Sequence, residues 1–578
     1  MTSAVESVAV DPITLEVQWN RLISIMDETD AALVRTSFSS IVGETRDFAV
    51  IMLDVHGRSI AQSNFSSPAF TVTLPITTKH FIDVFGYDGI HDGDVLVTND
   101  PWLASGHLPD LTIVTPVFHR GALVAFMACA AHVADIGGTL AWFEARDLFE
   151  EGLRIPPSKL YRRGERNEDV FNFLAANVRV PDQVIGDIGA IVSAETVGKR
   201  RLIEFLEDYD LPDISGPAAH ILDRSEAAMR KAVAEVPDGQ WKGEARADGF
   251  ITPLHIVVTV TKQDQDIWVD FTGSSEQFAR GSMNNVLNLT FADTVYSLKC
   301  ALTPTIPANE GIYRPIHASA PEGSVFNTRF PSAVKARSKT SFHIHNAIYN
   351  ALAKISPQLV QAGSGSFWSI TANGQWSDGS RFNMHLLPNG GKGAVLGMDG
   401  LPTIAFPYNG TVTPAEVVEN TSPLLFEEKS LLPDSGGAGT YRGGLSQKVV
   451  LSSRSASEVI ASVRPDKVKF PPPGIHGGDP GALGSVLVNG EPMKPGESVV
   501  ALEHGDRIEM WLPGGGGVGS PFERPAESVL ADVVLGFVTV EAARDRYGVA
   551  IDSQRLTIDV DETARLHGLA SSGERTNS

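Results

Sequence analysis

The sequence predicts an α+β protein of several domains, with mixed β-sheets, helical insertions and a β-rich, glycine-punctuated C-terminal half. Three observations carry this. The chain has 578 residues, too many for one compact core at roughly 150 residues per domain. Apolar residues recur at helical spacing near the N-terminus and again within 158–235, whereas most other segments are short apolar runs bounded by turn residues. Glycine (54 residues) and proline (35) are plentiful, and glycine-rich stretches punctuate the chain past residue 400.

Taken in order, Asp11 is placed to cap a first helix, with Pro12 in its first turn and Glu16 near its positive end. Trp19, Leu22, Ile23, Met26, Ala31 and Val34 form its apolar face. Residues 47–63, DFAVIMLDVHGRSIAQS, read as a hairpin turning at Val55-His56-Gly57, and VLVTNDP as a buried strand ending in a turn. Residues 106–138, GHLPDLTIVTPVFHRGALVAFMACAAHVADIGG, read as a second hairpin. Residues 158–235 read as helical, and from 237 the pattern reverts to strands, with helices again around 284–303 and 337–355. Strands dominate past 400, interrupted by DSGGAGTYRGG (434–444), PPPGIHGGDPGALG (471–484) and PGGGGVGSP (513–521). ESVLADVVLGFVTVEAARDRYG reads as a last helix, and the polar end SSGERTNS is expected to be disordered. These shifts divide the chain into an N-terminal α+β domain (1–157), a helical segment (158–236), a central α+β domain (237–400), a β-rich C-terminal domain (401–550) and a tail (551–578).

Composition excludes some functions. A net charge of −22 argues against nucleic acid or an anionic membrane as a partner, since both require basic surface. Two cysteines, Cys129 and Cys300, build no disulfide framework and suit a reducing cytoplasm. The N-terminus carries no secretory pattern, and no apolar run reaches the ~18 residues that span a bilayer. The expectation is a soluble, cytoplasmic protein.

The second hairpin holds His107-x-x-Asp110 at one end and His132-x-x-Asp135 at the other. With Arg120-Gly121 as a two-residue turn, His119 faces Ala122, Asp110 falls opposite Ala131, and His132 opposite Pro109. Asp110 and His132 then lie within diagonal reach of each other. Imidazole and carboxylate converging on one point form a ligand set for Zn, Mn or Fe, and His107 can fold back to join them. The plainer alternative is that these groups satisfy loop backbone at strand ends. PGGGGVGSP could cradle a phosphate, but it lacks a Walker lysine and reads better as a tight structural loop. No complete nucleotide motif and no G-x-S-x-G elbow occurs, and both cysteines read as packing.

TNDPWLASGHLPDLTIVTPVF, AHVADIGG, FEEGLRIPPSKLYRRG, IPANEGIYRPI, PDSGGAGTYRGG and PGGGGVGSP, in this order from about residue 10 to about 550, resemble the hydantoinase B/oxoprolinase family. The resemblance implies one half of an ATP-dependent hetero-oligomer. Its partner would be a hydantoinase A-type ATPase subunit that binds ATP-Mg and phosphorylates a substrate carbonyl. Family reactions open 5-oxoproline, hydantoins and lactams, while a related branch carboxylates acetone or acetophenone. The family's acid-and-histidine metal site maps onto His107, Asp110 and His132, and its R-x-D-[FY] segment onto Arg46-Asp47-Phe48, which adds Asp47. The expected cofactor is a divalent metal, Zn or Mn. Asp135 is a further ligand, a support for His132, or a cap on the Ile136-Gly137-Gly138 turn. Asp135 and Glu151 are the candidate catalytic carboxylates, accepting a proton, and Asp100 is a turn former before it is a support. Two segments depart from the family pattern: Ser66–Pro75 has no histidine, and Thr139-Leu140-Ala141-Trp142-Phe143 replaces Pro-Gly-Ser. Trp142 and Phe143 suit either a larger, more apolar substrate or packing against the partner. The reading is the metal-binding B subunit of a cyclic amide hydrolase, with a ketone carboxylase subunit and a non-catalytic scaffold as alternatives.

Overall fold

The computed structural model describes residues 11–140, 144–250, 252–404, 406–494 and 497–572, with side chains to 568. Helix α1 (Pro12–Thr36) begins as its sequence requires: the Asp11 carboxylate accepts the Thr14 N–H at 3.0 Å, and Pro12 opens the first turn. Leu15, Trp19, Leu22, Ile25, Met26 and Leu33 form its buried stripe.

This stripe covers one face of a seven-stranded antiparallel sheet. Its strands are β1 (Phe48–Leu53), β2 (Ser59–Gln62), β3 (Val95–Thr98), β4 (Asp110–His119), β5 (Ala122–His132), β6 (Ser158–Arg162) and β7 (Glu165–Arg166), in the order β2-β1-β5-β4-β3-β6-β7. Val50, Met52, Ile113, Met127 and Cys129 face α1 and the long helix Pro181–Asp208. Ile51, Val114, Phe126 and Ala128 face a second helix, α2 (Pro68–Phe85). Burial on both faces explains why β4 and β5 read as unbroken apolar runs rather than as alternating strands. Cys129 is enclosed in this packing.

Two local readings change. Residues 158–166, read as the start of a helical region, pair as a hairpin on the edge of the sheet before the helices Glu168–Asn177, Pro181–Asp208 and Ser215–Ala234. The last helix is two helices, Ala526–Val534 and Val540–Tyr547, parted at Gly536, whose φ of 73° a helix does not accommodate. Downstream, Ile551–Asp552 pairs with Thr557–Ile558 and Val560–Ser572 is helical, while 573–578 lie outside the described residues.

The central sheet, β11-β10-β9-β8 (β8 Gly239–Ala247, β9 Leu254–Gln263, β10 Asp266–Asp270, β11 Ile316–Ser319), packs its alternate residues Ile256, Val258 and Val260 against the helices Leu287–Leu302 and Ile344–Leu352. The C-terminal half is two sheets face to face. One contains β12 (Ser369–Gln375), β13 (Arg381–Leu386) and β16 (Val459–Arg464), the other β14 (Leu424–Leu431) and β15 (Gln447–Ser453), with Trp368, Ile370, Leu451 and Val463 between them. The glycine loops seal its end by backbone-to-backbone contact. A Cβ on Gly515 would stand 2.1 Å from the Lys392 carbonyl oxygen, and Gly514 to Gly517 donate their N–H groups to the Ala482, Gly444, Gly363 and Asp479 carbonyls. With those donors engaged, PGGGGVGSP is a structural loop. Among the described residues no helix is long and apolar enough to cross a membrane.

Candidate metal centre

Asp47, His132 and Asp110 form one row across three neighbouring strands. Phe48 pairs with Ala131, and the His132 N–H donates to the Asp47 carbonyl at 3.0 Å, so Asp47 flanks His132 just before β1 begins. On the other side Asp110 is the direct partner of His132. The two-residue turn with His119 opposite Ala122 forms as expected, but the register shifts by one between Val117 and Phe118, where Val124 is an extra residue in β5. The diagonal pair expected from an unbroken hairpin becomes a facing pair on one side of the sheet.

His107 completes the cluster from the turn ahead of β4. Its Nε2 lies 2.7 Å from Asp110 Oδ1, and its Nδ1 lies 2.9 Å from the Lys335 carbonyl oxygen. His132 Nδ1 lies 3.3 Å from Asp110 Oδ1 and 3.8 Å from Asp47 Oδ2. His107, Asp110 and His132 each offer a ligand atom, all within 4.8 Å of one another. Burial, then the charge of Arg337, pushes His107 down to about 3, leaving a neutral imidazole. Burial opposes the charge on Asp110, but His107 and Arg337 outweigh it and hold the carboxyl well below the usual carboxylate range. Burial raises Asp47 to about 6, against the pull of His132.

The cluster opens into a cavity of ≈60 Å³ that sequence spacing did not reveal as a whole. Arg337 donates to Asp110 Oδ2 at 2.6 Å and to the Ser105 carbonyl at 2.6 Å. The His385 ring stacks on His132 at 5.6 Å and is anchored through Nδ1 to the Thr371 hydroxyl at 2.9 Å. Tyr408 interacts with Asp47, and Arg464 lines the far wall. Each lies more than 200 residues from Asp110, so no local spacing ties it to that residue.

The structure does not bring the candidate catalytic carboxylates into this cavity. Asp135 pairs with the Arg179 guanidinium at 2.5 Å and accepts the Gly137 N–H at 3.2 Å, which caps the Ile136-Gly137-Gly138 turn. It lines a smaller void of ≈20 Å³ behind the His132 and His385 rings. Glu151 is buried, accepting the Val334 N–H at 3.0 Å and the Lys335 N–H at 2.8 Å. Burial pushes its carboxyl up and the Lys335 ammonium down. Asp100 is a turn former, accepting the Trp102 N–H at 3.1 Å. Trp142 and Phe143 lie outside the described residues.

A family model described as hydantoinase B/oxoprolinase matches residues 11–521. The chain belongs to the hydantoinase B/oxoprolinase family. It is 31% identical, over 96% of its length and 98% of the relative's, to a Pseudomonas sp. (strain NS671) protein assigned as a D-/L-hydantoinase B component. The crystal structure of ATP-dependent caprolactamase from Pseudomonas jessenii matches with a TM-score of 0.88 at 29% identity, covering 97% of this chain and 100% of that one. A nucleotide-free structure of acetone carboxylase matches with a TM-score of 0.88 at 17% identity, covering 100% of this chain and 85% of that one, which shows a common fold alone.

Proposed function

We propose that this chain is the metal-binding B subunit of an ATP-dependent cyclic amide hydrolase of the hydantoinase, 5-oxoprolinase or lactamase type. It works with an A-type ATPase subunit that binds ATP-Mg and phosphorylates the substrate carbonyl. One observation carries the metal assignment. His107 presents both ring nitrogens to oxygens that only accept: the Lys335 carbonyl and an ionised Asp110. A neutral imidazole has one N–H and cannot satisfy both. A cation held by His107 and Asp110 would resolve the conflict and leave the other ring N–H to donate to the Lys335 carbonyl, as a second partner behind a ligating histidine does. The donor set of two imidazoles and two carboxylates suits Zn or Mn.

When bound, such an ion supplies Lewis acidity and a water of lowered pKa. The chain's own residues do the rest. His107, Asp110, His132 and Asp47 would hold the ion. Arg337 fixes the second oxygen of Asp110, and Glu151 orders the 334–335 backbone whose carbonyl orients His107. Asp135 secures the turn after His132 through Arg179. In the overall reaction the partner transfers phosphate from ATP to the amide oxygen, water adds at that carbon, the ring C–N bond breaks as the nitrogen takes a proton to leave an acyl phosphate, and a second water displaces phosphate at the same carbon to give the open-chain carboxylic acid.

The relatives assigned as hydantoinase and caprolactamase support the cyclic amide class. The test is reconstitution with the A-type subunit. ATP turnover that needs a lactam, hydantoin or 5-oxoproline alone, together with stoichiometric metal, is the expected result. Turnover that needs bicarbonate and a ketone assigns a carboxylase instead, and an absence of metal returns the chain to a scaffold.

A further inference from the structure

Two buried arginines, Arg337 and Arg464, line the cavity beside the metal cluster. Arg337 comes from the turn ahead of Ser338–Ser341 and is tied to Asp110. Arg464 comes from the end of β16, and its guanidinium donates to the Ser369 hydroxyl. Both are more than nine-tenths buried, and their charges work against each other: burial and then Arg337 bring Arg464 down to about 9. Ser338 and Ser341 line the same void. Two like charges desolvated around a polar pocket are costly unless something of opposite sign occupies it. Within the chain, Asp47, Asp110 and, beside Arg337, Asp293 offset the two guanidiniums. A divalent ion adds two positive charges, which a phosphate dianion balances. Guanidinium forks and hydroxyls are the groups that bind tetrahedral oxyanions, and ≈60 Å³ has room for more than one water.

We propose that this cavity binds a phosphate oxyanion between Arg464, the Ser338 hydroxyl and the metal cluster. The anion is either the phosphoryl group still attached to the activated substrate or inorganic phosphate released from it. This rests on the function proposed above, in which the partner phosphorylates the carbonyl. Held by Arg464, the phosphoryl group would turn the adjacent carbon toward His107 and His132 and be kept from hydrolysis at phosphorus. Arg464 is then a substrate-binding residue, distinct from the ligands.

The test is isothermal titration of the Zn- or Mn-loaded chain with inorganic phosphate, with metal content read separately. Saturable binding is expected, weakened roughly 10–100-fold in Arg464→Gln while the metal stays. In the reconstituted pair, more ADP formed per ring opened in Arg464→Gln assigns the site to the substrate's phosphoryl group. An unchanged ratio with weaker inhibition by phosphate assigns it to the free product. If the glutamine variant does not fold, the wild-type titration decides. A metal-loaded wild-type chain that binds no phosphate overturns the anion site and leaves the metal reading standing. Equal phosphate affinity in Arg464→Gln and wild type also overturns it. Failure to take up Zn or Mn overturns the metal reading, whatever phosphate does.

Discussion

Asp110 and His132 stand directly opposite each other in the β4–β5 pair, with Oδ1 3.3 Å from Nδ1. Directly opposed residues share a face, whereas residues one register step apart point to opposite faces. The single extra residue at Val124 therefore decides whether carboxylate and imidazole meet.

His107→Ala and His132→Ala should each reduce bound metal from near-stoichiometric to background, and activity of the reconstituted pair should fall with it. Elemental analysis of the dialysed chain beside a turnover assay checks this. Full turnover by a metal-free variant would sink the reading.

Arg337→Met removes the cation that faces the buried Asp110 carboxylate. Breaking such a pair from one side costs about 3–5 kcal/mol. The metal-free variant should be destabilised on this scale in urea, and Zn should restore more stability to it than to wild type. Equal restoration in both chains would count against an ion beside Asp110.

Glu151→Gln separates support from proton transfer. Its carboxylate holds the backbone that orients His107, so the substitution should weaken metal affinity by about 10–100-fold. At saturating metal, kcat should return to near wild type. A persistent loss of kcat would instead make Glu151 the proton acceptor.

Glu195 gives a pH signature remote from the site. It is buried beneath the sheet, takes the Thr115 hydroxyl at 2.5 Å, and burial pushes its carboxyl well above the ordinary range. The native state thus keeps a proton that the unfolded chain releases. This contribution to stability is fully present below the ordinary glutamate pKa and declines as pH rises toward the folded pKa, by up to about 1.4 kcal/mol per pH unit. Glu195→Gln should therefore gain on wild type as pH rises above about 5, past the ordinary glutamate pKa, relative to their difference at low pH. Urea melts across that range with parallel pH profiles would refute the assignment.

Gly515→Ala should destabilise the C-terminal sandwich severely, because its Cβ would stand 2.1 Å from the Lys392 carbonyl. Backbone must move, at a cost on the order of several kcal/mol. A soluble variant with unchanged melting temperature would show that the loop yields easily.

Much of this architecture is legible along the chain. Asp11, Pro12 and the Trp19–Met26 spacing mark α1, and Val55-His56-Gly57 and Arg120-Gly121 mark the hairpins, because caps, turns and periodicity act within a few residues. Local pattern misleads where several signals compete. Lys159 and Tyr161 pair in a strand although a helical region follows them, since the free edge of β3 is satisfied by another strand. The VLGFVTVEA stretch continues an apolar pattern across a break that Gly536 makes.

The sequence by itself determined the family, the antiparallel hairpin and the residue types at its open end, because those depend on local pattern and on motifs kept in order. Only the tertiary structure decided that Asp110 faces His132, and that Arg337, His385 and Arg464 close the cavity around them. It also turned Asp135 and Glu151 toward Arg179 and the 334–335 backbone. The bulge at Val124 leaves no mark in composition or spacing. The convergence of residues from β13, β16 and the turn before Ser338 is set by how separate hydrophobic cores pack, which no local window contains.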